Sequence, residues 1–301
     1  MRTIPSRRTG LCVALGLTLA ALAGCQAQEQ EQGAAPEAIA TPFSQELHDR
    51  LPPTVQSSGE LTILTSAGYP PVMFYGPDGR TLQGSEADIA AGLGRVLGVS
   101  ITFVPAEFPT ILDRLARGEA DLGMSGITDT TERQAKVDFV DYFEAGTAIL
   151  VQRGNEHEIT DLSGLCGQRV SVGEGTTQEL LAAGLQTSCG DAPIVVTQST
   201  TAADAMLELR AGNVEATLVD YPPAAKMATD PKTRSSFELA TTEQYEPAPF
   251  GIAVSKTEPE LASVLQQALS QLQASGEYEE VLRRWKLEAG LVPTIGLNTG
   301  S

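Results

Sequence analysis

The chain reads Ser125-Gly126-Ile127-Thr128-Asp129-Thr130-Thr131-Glu132-Arg133, and these residue types at this spacing could hold an anion. Hydroxyls at Ser125 and Thr128 flank a glycine, and a guanidinium follows at Arg133. Ala120 to Met124 reads as a short buried strand leading into this turn. Thr130 then reads as the N-cap of a helix, with Thr131 and Glu132 in its first turn. Such a turn gathers backbone N–H groups without helical partners, and an α-carboxylate matches those donors together with a two-pronged guanidinium. An ordinary strand-helix turn with a solvated arginine has the same spacing, so the stretch alone does not decide.

The flanking elements fix how such a turn would be presented. A short apolar strand at 60–65 precedes a turn through Ser66, Tyr69, Pro70 and Pro71 that cannot be helix interior. Pro77-Asp78-Gly79 marks a tight hairpin turn. Ile89, Leu93, Val96 and Leu97 predict a helix over 86–97. A strand at 101–104, a helix at 110–117 and the strand at 121–125 complete a first series. A second runs through a strand at 169–172, the turn Gly173-Glu174-Gly175-Thr176-Thr177, a helix to about Leu185, a strand at 194–196, a helix at 202–209 and a strand at 216–219 closing on Asp220. A further strand at 250–254 and helices at 259–274 and 278–285 end the pattern. Strands alternating with helices predict an α/β fold with largely parallel sheets.

Charge narrows the partners. The 301 residues carry 20 Lys and Arg against 38 Asp and Glu, a formal charge of −18. So acidic a chain, with no basic cluster, is unsuited to phosphate backbones, and no nucleic acid is expected. Arg2, Arg7 and Arg8 precede an apolar run from Leu11 to Ala23, too short to span a bilayer and suited to a signal peptide over residues 1–24. The run ends in Leu22-Ala23-Gly24-Cys25, which resembles the lipobox of bacterial lipoproteins, with Cys25 as the lipidated first residue. Residues 25–56, rich in Gln, Glu, Ala and Pro, predict a flexible tether. Cys166 and Cys189 remain as an even pair and are expected to form a disulfide outside the cytoplasm. A metal site there would lack nearby His partners, and two separate thiols are the other reading.

Taken together, four stretches resemble the bacterial extracytoplasmic solute-binding proteins of the polar amino acid type. They are 126–133; Lys136-Val137-Asp138-Phe139 with Tyr142-Phe143; Gly175-Thr176-Thr177-Gln178; and Ala248-Pro249-Phe250-Gly251-Ile252-Ala253. The resemblance covers residues 60–286. It implies a two-lobed type II periplasmic-binding-protein fold, with two parallel-type sheets, flanking helices and a two-strand hinge. Lobe one would span 57–151 and 248–290, lobe two 152–247, and residues 291–301 would form a C-terminal tail. The crossings would fall at Ile149-Leu150-Val151-Gln152 and just before Phe250.

The resemblance also implies roles. Arg133 would hold the ligand carboxylate, helped by Gly126, Thr128 and, from lobe two, Thr177, with Ser66, Ser125 and Gly173 as further ligand-binding residues. Asp220 would pair with the ligand ammonium, and Tyr69 and Phe108 would sandwich the ligand side chain. Without the resemblance, Tyr69 and Phe108 are also readable as core and Asp220 as a helix N-cap. Ser66 stands where many relatives have an Asp that recognises a basic side chain. A neutral or small polar ligand is therefore expected unless Glu174 or Asp129 replaces that charge. Glu86 stands in place of another family Asp.

The function implied is that of a monomeric lipoprotein, outside the cytoplasm, carrying an amino acid to the permease of an ABC importer. It would need no cofactor, metal or catalytic residue. The competing readings are a secreted dehydratase on the same fold, with Glu174 as its acid, and a ligand-sensing lipoprotein.

Overall fold

The computed structural model describes residues 40–301; the leader, Cys25 and the tether as far as residue 39 lie outside them. In chain order the strands are β1 Glu60–Thr65, β2 Phe74–Tyr75, β3 Leu82–Gln83, β4 Ser100–Pro105, β5 Leu122–Gly123 and β6 Val137–Gln152. After them come β7 Arg169–Gly173, β8 Val195–Ser199, β9 Ala216–Asp220, β10 Phe237–Leu239, β11 Tyr245–Ser255 and β12 Gly296–Leu297. The helices are α1 Gln45–Asp49, α2 Pro53–Ser58, α3 Ser85–Leu97, α4 Ile111–Ala116, α5 Thr131–Gln134, α6 Thr177–Ser188, α7 Ala202–Ala211, α8 Tyr221–Thr229, α9 Pro259–Ser275 and α10 Glu277–Trp285.

The main sheet has the order β4-β1-β5-β11-β6-β9-β7-β8, with β10 and β12 also on β6. β1 lies parallel to β4 and β5, and β7 parallel to β8 and β9; β11 and β6 run antiparallel between these groups. The two expected sheets are thus joined without a break, because β6 belongs to both. Its first part pairs with β11 from Val137 to Thr147, and its second with β9 from Thr147 to Val151. β6 meets both partners at Thr147, and the expected crossing residues Ile149–Gln152 pair with β9 and β10. Ile149, Leu150 and Val151 are buried apolar residues suited to pairing covered on both faces, and the polar Gln152 ends the strand exposed.

Each half has its own core on both faces of its sheet. In the first, Leu61, Ile63, Val140 and Ile252 pack with α3, α9 and α10, while Leu64, Ile111, Leu115 and Phe139 fill the other face. In the second, β6 alternates: Ile149 and Val151 join Val170, Val172 and Ala182, whereas Ala148 and Leu150 join Met206, Leu209 and Phe237. α3 forms where Ile89, Leu93, Val96 and Leu97 recur at helical spacing, and it stops at Gly98, whose left-handed conformation returns an N–H to Arg95 O.

Two stretches expected to lack order are built into the body. Residues 41–56, predicted as the end of the tether, fold instead into α1 and most of α2. Leu47, Leu51 and Val55 are each 2% exposed in the first core, contributing about 1.5–3 kcal/mol apiece. His48, uninformative in sequence, bonds Leu97 O through Nδ1 at 2.8 Å. The tail is likewise docked, through β12 on Asp141 and Val140 of β6. Cys166 and Cys189 are disulfide-bonded.

Candidate functional site

One pocket collects most of the expected site residues. Ser66, Tyr69, Phe108, Ser125, Gly126, Thr128 and Arg133 line it from the first half, and Thr177 and Asp220 from the second. The first-half wall is the turn after β5. Thr130 caps α5 as expected, accepting from Arg133 N at 3.3 Å. The cap points the Arg133 side chain back across the turn, where Nη1 donates to Thr128 O at 2.7 Å. Nη2 donates to Gly175 O at 2.9 Å, reaching the other half, and the guanidinium lies 5.7 Å from the centre of the Phe108 ring. Arg133 forms no ion pair among the described residues. Burial draws its pKa below the usual range, opposed by the charges of Asp220, Glu132 and Asp129.

Two expected contacts take another form. The Gly126 N–H donates to Glu86 Oε1 at 2.9 Å, beneath the turn, so it is not aimed at the pocket. Gly126 matters instead for its φ of +58° and for the space it leaves: a Cβ would stand 3.4 Å from Tyr69. The Ser125 hydroxyl is similarly engaged with the backbone N–H and carbonyl of Ser66, both at 3.1 Å, tying the end of β1 to the end of β5. Glu86 is fully buried and also accepts from Tyr142 Oη at 2.7 Å. Burial pushes its pKa up to about 7 against those two bonds.

The second-half wall is made of helix beginnings. Thr176 caps α6 by accepting from Glu179 N, which puts Thr177 and Gln178 in its first turn, facing the cleft. Thr201 caps α7 in the same way, and Thr201, Ala202 and Ala203 line the pocket. Amides at such termini favour negative charge. Asp220 starts α8 but makes no side-chain cap bond. Its carboxylate turns into the cleft, taking Tyr69 Oη at 2.5 Å and Gln178 Nε2 at 2.9 Å. Burial raises its pKa to about 6, opposed by those bonds and by the charge of Arg133.

Gly173 is not among the lining residues. It ends β7 where α7 passes so close that a Cβ would meet Ala202 N at 2.9 Å. Gln178 and the start of α7 are the contributors that sequence reasoning missed. Gln178 lay inside a quoted motif without a role, and Thr201-Ala202-Ala203 had only the cap signal. Of the two acids offered as substitutes for the missing Asp, Glu174 lines the pocket and is exposed. Asp129 is fully buried and bonded to Gln134 and Gly300 instead.

A guanidinium with helix N-termini at one end and a carboxylate at the other suit a ligand carrying both charges. Residues 61–288 match the bacterial extracellular solute-binding proteins, family 3. The chain belongs to that family. It is 29% identical to an arginine-binding protein of Corynebacterium glutamicum over 98% of this chain and 97% of that one. It is 29% identical to an L-cystine-binding protein of Escherichia coli over 77% of this chain and 84% of that one. Among solved structures, an ancestral arginine-binding protein bound to arginine superposes with a TM-score of 0.70, at 32% identity, covering 75% of this chain and 98% of that one. The type II periplasmic-binding fold is therefore the one this family member adopts. No helix among the described residues is long and apolar enough to cross a membrane.

Proposed function

We propose that this protein binds a free polar amino acid between its two halves and delivers it to the permease of an ABC importer. It would work as a monomer held outside the cytoplasm by lipid on Cys25. One observation carries the reading: Arg133 and Asp220, of opposite charge and from opposite halves, face the same pocket. An α-carboxylate fits Arg133, Thr128 and the first turn of α6, and an α-ammonium fits Asp220. Arginine and cystine, the ligands in the relatives' names, share those two groups and differ in side chain. The names therefore support an amino acid without choosing its side chain. A dehydratase acting on a dicarboxylate would need further cations, and among the described residues Arg133 is the only Lys or Arg lining the pocket.

Thermal-shift screening of the purified chain against the amino acids, followed by calorimetry, tests the proposal. One class of amino acid should bind without turnover. Arg133→Ala should cost several kcal/mol, on the order of 2–5, because it leaves a desolvated carboxylate unpaired. Asp220→Asn should weaken amino acids strongly and des-amino analogues little. No response to any amino acid would overturn the reading, and an unprocessed N-terminus in membrane-extracted protein would overturn the anchor.

A further inference from the structure

The tail does more than cover β6. Asn298 exchanges backbone and side-chain bonds with Phe139, through Asn298 N to Phe139 O at 3.1 Å and Phe139 N to Asn298 Oδ1 at 2.8 Å. Thr299 then places both N–H and Oγ1 on Asp141 Oδ2, at 2.8 and 2.7 Å. Gly300 donates its N–H to Asp129 Oδ2 at 2.8 Å, and Gln134 Nε2 bridges Asp129 Oδ1 at 2.9 Å and Gly300 O at 3.0 Å. Asp129 and Asp141 are 0% and 2% exposed. The two carboxyl groups lie close enough that Asp129 helps raise the Asp141 pKa, itself lifted mainly by burial; such a pair requires outside donors, and the tail supplies three of them.

Asp129 sits between Thr128, whose carbonyl holds Arg133, and Thr130, whose hydroxyl caps α5. Fixing the Asp129 side chain therefore fixes the turn from both sides. Gly300 approaches closely enough that a Cβ would fall 2.2 Å from Asp129 O. That contact requires glycine.

We propose that residues 296–300 are a strap that positions the Thr128–Arg133 turn for the ligand carboxylate, acting through the buried Asp129–Asp141 pair. Thr299 and Gly300 are then positioning residues that never touch the ligand. The proposal rests on Arg133 being the carboxylate-holding group, and its test separates the two ideas.

The test compares the wild type with a chain lacking residues 296–301, and with Thr299→Ala, Thr299→Ser and Gly300→Ala. Hydrogen exchange is read at the amides of residues 126–135, which needs no ligand. The deletion, Thr299→Ala and Gly300→Ala should speed exchange there at least tenfold while β7 to β9 stay protected; Thr299→Ser should restore protection. Calorimetry should then show at least tenfold weaker binding of the amino acid that the wild type binds best. The weak binding of its α-carboxamide, which lacks the charge Arg133 meets, should be unchanged. Wild-type exchange in the deletion chain, or equal losses for acid and amide, would overturn the strap. If the wild type binds no amino acid, the functional reading fails while the exchange result still judges the strap.

Discussion

Tyr69 of the first half donates its hydroxyl to Asp220 of the second at 2.5 Å, and takes the Asp220 N–H at 3.2 Å. This pair bridges the cleft at the end assigned to the ligand ammonium. Burial and the nearby Asp220 push Tyr69 well above the usual tyrosine range, so it stays a donor at every working pH.

Asp220 should make ligand affinity depend on pH. Its folded pKa of about 6 lies above the ordinary 3.8, so the empty fold binds this proton more tightly than the unfolded chain does. The stability contributed by that proton is present at low pH and is lost as pH rises from about 4 to about 6. Affinity runs the other way, because an ammonium needs the ionised carboxylate. Calorimetry should show constant affinity from pH 7 to 8, then a fall approaching tenfold per unit below about pH 6. A ligand without the ammonium should show no such fall.

Glu86→Gln should stabilise the unliganded protein at alkaline pH. Burial pushes the native carboxyl from 4.5 up to about 7, and its Oε2 has no partner among the described residues. Ionisation therefore removes stability as pH rises from about 4.5 to 7, on the order of 1–3 kcal/mol. Glutamine keeps an oxygen for the Gly126 N–H and the Tyr142 hydroxyl. Denaturant unfolding should show a gain at pH 8 and none at pH 5. Equal losses at both would mean that the ionised form is required.

The ligand side chain should be neutral. A cation buried in a closed cleft costs several kcal/mol without a partner. Ser66 offers only a hydroxyl, Asp129 is turned away under the tail, and Glu174 is exposed, where an ion pair contributes about 0–1 kcal/mol. Glutamine or a similar ligand should bind at least ~10-fold tighter than arginine or lysine, about 1.4 kcal/mol. Tight arginine binding that disappears in Glu174→Gln would reverse this assignment and identify the acid responsible.

Reducing Cys166–Cys189 should destabilise the second half without changing the site. The bond closes a loop of 23 residues onto the C-terminal end of α6, while Thr177 and Gln178 lie at the other end. A loop of that length contributes roughly 3 kcal/mol, and a chain of this size loses about 2 °C per kcal/mol. Melting should drop by several degrees, with affinity within about twofold.

The site turn was legible because each feature was local: Thr130 caps, Arg133 follows by three, and Asp220 ends an apolar strand. Gly126 shows the limit of that reading. Its N–H is directed by Glu86, forty residues away, which no local pattern announces. Leu47, Leu51 and Val55 did carry helical spacing, but Pro52 and Pro53 cut it into two helices too short to register as periodic. The tail escaped for a different reason. Its order comes from side-chain bonds to buried acids on other elements, and such bonds leave no periodicity in 296–300. The passage between the halves leaves no local signal either, because β6 changes partner at Thr147 within one continuous strand.

The unbroken run of β6 and β11 through both halves governs how the cleft can work. The halves share two continuous ribbons, with a register irregularity between Tyr245 and Ala248 opposite Ala145–Thr147. Gly146 faces it so closely that a Cβ would lie 2.8 Å from that of Gln244. On the proposed reading, a change of angle between the halves would load these two strands in torsion, and a bulkier residue at 146 would have to displace Gln244 and the Tyr245 backbone there.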